Sequence, residues 1–154
     1  MRLEPCLSPE LGLVQPSCPG IDALLASVAA LGARARGYPP ATALLTELKD
    51  REARYPTSTP EGAAFPHALL RGIERTVVVP ALIVTGVPWR NPAHPPQRLV
   101  FAMFGSIDRP WEHVRTLARL ARIVRTPGAM DRILAAADPR ALHDALLSED
   151  RAHG

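Results

Sequence analysis

The sequence predicts an α/β protein, a single domain over residues 1–154 built as a three-layer α/β/α sandwich with a mixed β-sheet flanked by helices. Three observations lead there. Helical periodicity comes first, in two segments between residues 20 and 54. Two apolar runs, the β-branched TVVVPALIVTG and RLVFAMFG, fill the middle. Helical periodicity then returns from about residue 110. A chain of 154 residues is long enough for one proper core and short for two.

The elements follow in order. The first eighteen residues are proline-rich, and Leu11 to Gln15 is the segment suited to a short strand. After Pro19-Gly20, Leu24, Leu25, Val28 and Leu31 recur at helical spacing, with Asp22 at the start and Gly37 as the stop. A second helix is expected from Pro40 to about Arg54, with Ala43, Leu44, Leu48 and Ala53 near one side. Residues 55–72, YPTSTPEGAAFPHALLRG, are dense in Pro, Ser, Thr and Gly. They read as loop, interrupted by a short strand from Ala63 to Phe65. Thr76 to Gly86 reads as a strand buried on both faces, in which Pro80 argues for an edge position or a break. VPWRNPAHPPQ is a turn-rich connection, and Arg98 to Gly105 a second strand. Helices are expected at roughly 110–125, 128–136 and 139–147, separated at Pro127-Gly128 and Asp138-Pro139. No repeat or low-complexity tract appears.

Composition bounds the function. Hydrophobic residues make up 47% and aromatics only 5%, so the core must be built mainly from Leu, Val, Ile and Ala. No apolar stretch reaches the roughly 18 residues of a membrane span, and MRLEPCLSPELG lacks the apolar run of a signal peptide. A cytoplasmic location and no membrane insertion are expected. The net charge is +3, with Lys49 the sole lysine and the arginines spread along the chain. Nucleic acid binding needs a basic stripe interleaved with aromatics and is not expected; a mildly basic surface suits an acidic protein partner. Cys6 and Cys18 fit neither a disulfide framework nor a zinc pattern. No Walker loop, dinucleotide glycine pattern, G-x-S-x-G elbow or zinc-binding histidine pair is present, so no cofactor or metal is expected.

Two histidines can carry chemistry. His67 follows Pro66 after an apolar triplet. Imidazole is nucleophilic when neutral, and its ordinary pKa near 6.5 makes that form available. By position alone His67 is either such a nucleophile or an ordinary surface residue. His113 falls in the first turn of the helix expected at 110–125, within or beside an apolar arc of Val114, Leu117, Leu120, Ala121 and Val124. It is expected to point inward where free N–H groups and the helix dipole favour anions and disfavour imidazolium. The plain alternative is a histidine at the rim of the core. Arg115, Arg119 and Arg122 lie opposite and read as a solvated face. Arg51 and Arg54 end the second helix, where a guanidinium complements the dipole and could also reach a phosphoryl group in the following segment.

The stretch REARYPTSTPEGAAFPH resembles the enzyme IIA proteins of the phosphotransferase system, in the type 2 branch that includes mannitol/fructose-specific and nitrogen-regulatory members. Arg51-Glu52, Thr57, Gly62, Ala64, Phe65, Pro66 and His67 fall in the family's register without a gap. Downstream, Glu112-His113 leading into Val114-Arg115-Thr116-Leu117 is similar to the family's Glu-His helix start, and the resemblance covers roughly residues 9 to 147. It departs at Pro56, where the family has the serine of a Ser-Thr pair, at Ser58 and Pro60, where glycines are common, and at Leu69, where many relatives have a basic residue.

The resemblance implies roles. His67 would accept a phosphoryl group from the phosphocarrier HPr or its nitrogen-branch counterpart. Arg51 would neutralise the phosphoryl oxygens, His113 would orient His67 or hydrogen-bond the phosphoryl group, and Thr57 would offer a further hydrogen bond. Three functions are implied: a regulatory phosphohistidine carrier of the nitrogen-regulatory type; a sugar-specific IIA passing phosphate to a IIB domain; or an unphosphorylated interaction module.

Overall fold

In the computed structural model, which describes residues 1–153, a 3-10 turn at Glu4–Cys6 is followed by β1 (Leu13–Gln15), α1 (Ile21–Gly32) and α2 (Ala41–Arg54). Then come β2 (Ala63–Ala64), β3 (His67–Leu70), β4 (Val77–Val87) and β5 (Gln97–Ser106), and finally α3 (Pro110–Arg125), α4 (Ala129–Leu134) and α5 (Pro139–Ala152). The strands form one mixed five-stranded sheet. β4 and β5 are antiparallel at its centre, β1 runs parallel to β4 on one edge, and β2 and β3 run parallel to β5 on the other.

The pleat explains the layers. Successive side chains of a strand point to opposite faces, and both long strands are apolar on both. Val100, Ala102 and Phe104 of β5, with Val77, Val79, Ala81 and Ile83 of β4, pack with Leu24, Leu25 and Val28 of α1 and Leu44 and Leu48 of α2. Leu99, Phe101 and Met103, with Val78 and Leu82, pack with Leu120 and Ile123 of α3, Ile133 of α4, and Leu142 and Leu146 of α5. Two cores on opposite faces of one sheet make the expected α/β/α sandwich. Each fully buried Leu, Ile or Phe contributes about 1.5–3 kcal/mol. No described helix is long and apolar enough to cross a membrane.

Besides α5, which runs to Ala152 rather than ending near residue 147, four local expectations change. Pro80 does not mark an edge: β4 runs unbroken between β1 and β5, with Pro80 opposite Phe101. β1 begins pairing one residue later, at Ala81, so only one ladder flanks the proline. Residues 67–70 are not loop. β2 and β3 hold one register against β5, Ala63 opposite Leu99 and His67 opposite Met103. They are one edge strand interrupted at Phe65-Pro66, where proline has no N–H to donate, although the Pro66 carbonyl still accepts from Met103 N at 2.9 Å. α1 stops at Gly32 rather than Gly37. The chain turns there, and Tyr38 donates its hydroxyl to the Arg75 carbonyl (2.7 Å).

The fourth change is the face that α3 buries. Val114, assigned inward, is 62% exposed, and Arg119, assigned to solvent, is 9% exposed. The cause lies on α5. Arg119 Nε meets Asp150 Oδ1 at 2.6 Å and Nη2 donates to the Asp150 carbonyl at 2.8 Å, while Leu3 N donates to Asp150 Oδ2 at 2.8 Å. One buried carboxylate thus ties the N-terminal segment, α3 and α5 together.

Candidate functional site

Three elements converge on one cavity of about 200 Å³, lined by Glu47, Arg51 and Arg54 of α2, His67, Ala68 and Leu69 of β3, and His113 of α3. Strand register places His67, the last helical turn places Arg51, and the first turn of α3 places His113. Their rings lie 4.9 Å apart between centroids and are tilted by 53°. Residues 46 positions apart in sequence are therefore neighbours in the fold.

His67 is half-buried, and its Nδ1 lies 2.8 Å from the Phe65 carbonyl. A carbonyl only accepts, so Nδ1 carries the proton and Nε2 carries the lone pair. Burial lowers the pKa of His67; the Phe65 carbonyl opposes that shift, and the charge of Arg51 adds to it. His113 is buried, and neither ring nitrogen has a hydrogen-bond partner among the described residues. Its pKa falls to about 4, mainly through burial and then through His67 and Arg51. Both rings are neutral at neutral pH, chiefly because they are buried, and the charge of Arg51 adds to this.

Arg51 is held at the end of α2 by an Nη1 bond to the Tyr55 carbonyl (2.9 Å), with its guanidinium 5.5 Å from the centre of the Tyr55 ring. The next residue, Glu52, is 1% exposed and accepts three hydrogen bonds. They come from Thr57 N (2.9 Å), Thr57 Oγ1 (2.8 Å) and Trp89 Nε1 (2.5 Å). The Thr57 carbonyl in turn accepts from Phe65 N at 3.2 Å, and Phe65 holds His67. Glu52 therefore sets the backbone that sets the His67 tautomer. Sequence reasoning gave it no role, though a signal existed: Leu44, Leu48 and Glu52 occur at i, i+4 and i+8, a carboxylate on the buried stripe. Glu112 does similar work for α3, accepting from Thr76 N at 3.0 Å.

The structure thus brings together His67, His113 and Arg51. Thr57 lies outside the cavity lining, and its hydroxyl proton goes to Glu52. Ser58 and His94 are 2.8 Å apart, but they form no nucleophilic dyad. Asn91 Oδ1 accepts from Ala93 N (3.0 Å), which turns the Asn91 amide nitrogen toward His94 Nε2 (3.4 Å). Nδ1 then donates to Ser58 and cannot take its proton. Cys6 and Cys18 are free thiols, and no group of three or more potential metal ligands gathers among the described residues.

Comparison with known proteins agrees with this architecture. The family model for the phosphoenolpyruvate-dependent sugar phosphotransferase system, EIIA 2, matches residues 6–149. No curated protein sequence gives a significant match. Among solved structures, the nitrogen regulatory protein IIA-Ntr from Neisseria meningitidis superposes with a TM-score of 0.84 at 16% identity, covering 94% of this chain and 98% of that one. IIA mannitol from Escherichia coli superposes at 0.75 and 16% identity, covering 90% and 97%. In the Escherichia coli complex of enzyme IIA mannitol with phosphorylated IIB mannitol, the match is 0.76 at 16% identity, covering 92% and 96%. At such identities the superpositions speak for the fold, and the family model, which spans nearly the whole sequence, shows that this chain belongs to the EIIA type 2 family of the phosphoenolpyruvate-dependent sugar phosphotransferase system.

Proposed function

We propose that the protein is a phosphohistidine carrier in which His67 Nε2 accepts a phosphoryl group from HPr or its nitrogen-branch counterpart. The observation that supports this most is the neutral imidazole pair, His67 beside His113, with Arg51 on the same cavity. Nε2 attacks the phosphorus of the donor phosphohistidine. One N–P bond forms as the donor's N–P bond breaks, and the electron pair of the broken bond returns to the donor ring. The Phe65 carbonyl faces Nδ1–H and stabilises the positive charge that develops on the His67 ring. Arg51 compensates charge on the phosphoryl oxygens, and His113 donates one ring N–H to them. Phosphoryl transfer needs little beyond such positioning and charge compensation.

Structural neighbours include nitrogen-regulatory and mannitol-specific proteins, and of these branches we propose the regulatory one. The test is phosphorylation from phosphoenolpyruvate through enzyme I and HPr. The wild type should gain acid-labile label that His67→Ala abolishes. A mannitol-type IIB domain that drains this label would move the protein to the sugar branch. A folded wild-type chain that gains no label with the cognate upstream proteins is an interaction module instead.

A further inference from the structure

No hydrogen bond among the described residues fixes the ring of His113, since both of its nitrogens lack partners. Packing has to set its angle. The ring lies against β5 at Gly105, whose register partner is Leu69, two residues beyond His67 on β3. A β-carbon at Gly105 would stand 2.7 Å from His113 Nδ1, 3.1 Å from its Cβ and 3.2 Å from its Cγ. Gly105 is not among the glycines with positive φ, so the backbone there would accept any residue. What cannot be accommodated is the side chain. Because the contacts include His113 Cβ, which is rooted in α3, turning the ring alone does not relieve them. Either the first turn of α3 shifts or the ring leaves its place.

We propose that Gly105 is a positioning residue of the phosphoryl-transfer site: having no side chain, it lets His113 lie against β5 at the distance and tilt that face His67. This rests on the assignment of His67 as the phosphoryl acceptor. Gly32 supplies a control. Its own β-carbon position lies 2.7 Å from Phe104 Cε2, an equally tight approach in the core that involves no residue lining the cavity.

The test compares full-length Gly105→Ala, Gly32→Ala, His113→Ala and the double variant Gly105→Ala/His113→Ala. Readouts are phosphorylation by enzyme I, HPr and phosphoenolpyruvate, titration of the histidine ring protons by NMR, and thermal unfolding. Gly105→Ala should slow transfer roughly tenfold to a hundredfold, as small misplacements of reacting groups do, reaching the His113→Ala rate with an unchanged KM for HPr. The His113 titration should rise from about 4 toward the ordinary histidine value as the ring leaves its burial. Gly32→Ala should lower the melting temperature yet leave rate and titration unchanged. In the His113→Ala background, which removes the ring but keeps a Cβ 3.1 Å from the new methyl group, adding Gly105→Ala should lower the melting temperature modestly yet leave the rate unchanged.

A Gly105→Ala protein with wild-type rate and titration overturns the proposal. So does a double variant that takes label much more slowly than His113→Ala alone, a comparison that works even if Gly105→Ala itself cannot be purified. Should wild type take no label, the acceptor assignment fails, while the histidine titration of Gly105→Ala still decides whether Gly105 positions His113.

Discussion

At the scale of residues, the site is a set of proton positions fixed by the backbone. The Phe65 carbonyl at 2.8 Å puts the His67 proton on Nδ1, and burial holds the ring neutral below its ordinary pKa. The rate of phosphoryl acceptance should therefore stay flat as pH falls through 6.5, the ordinary histidine value, and drop only below it. Stopped-flow measurement from pH 8 to pH 5 checks this; a rate already halved at pH 6.5 contradicts it. His113 has a related effect on stability. Its pKa is about 4 in the fold and near 6.5 in the unfolded chain, so the unfolded chain binds more protons between those values. Stability conferred by the neutral ring is complete above 6.5 and is lost as pH falls toward 4. His113→Gln should flatten the decline in melting temperature across that window, and scanning calorimetry at several pH values would show it. The meeting of His67, His113 and Arg51 on one cavity could be anticipated because each sits in a short motif at family spacing. The burial of Glu52 was legible in its spacing from Leu44 and Leu48, but its hydrogen bonding was not, because one partner, Trp89, lies 37 positions away. Glu52→Gln, which keeps the size but cannot accept all three donors, should cost about 1–3 kcal/mol in urea unfolding. It should also slow His67 phosphorylation.

At the scale of elements, strands β4 and β5 and helix α3 were readable because apolar runs and helical periodicity are local signals. The bounds expected for α3 match those observed, Pro110–Arg125. Its buried face matched at His113, Leu120 and Val124 and differed at Val114 and Arg119, since a helical wheel weighs only hydropathy and Arg119 is buried by its partner Asp150 on α5. Edge strand β3 was hidden for a related reason. His67 to Leu70 follows a proline in a segment dense in turn residues, and only pairing with Met103 to Ser106 of β5 makes it a strand. Removing one member of a buried ion pair leaves an uncompensated charge and typically costs about 3–5 kcal/mol. Asp150→Ala should fall in that range by chemical denaturation, since it also strips Leu3 N of its acceptor. Arg119→Met paired with Asp150→Leu should recover much of the loss. A single variant as stable as wild type would mean that the pair contributes little to holding α3 and α5 together.

At the scale of the whole molecule, one sheet with a core on each face brings the ends of three elements to a common edge. β5 links the two functions, since Phe101 fills the core shared with α3 to α5 while Gly105, farther along the same strand, lies against His113. The order of helices, strands and helices was enough to anticipate this layering, because each long strand is apolar on both faces and must be covered twice. The placement of β2 and β3 on one edge was beyond sequence reasoning, as it depends on pairing across more than thirty residues. The central claim is that this scaffold presents Nε2 of His67 as a phosphoryl acceptor. Its most direct test is NMR of the phosphorylated chain with nitrogen-labelled histidine, which identifies the ring and the atom that bear the phosphoryl group. Phosphorus coupling to Nε2 of His67, with His113 unmodified, is the predicted result. A phosphoryl group on Nδ1, or on His113, would contradict it.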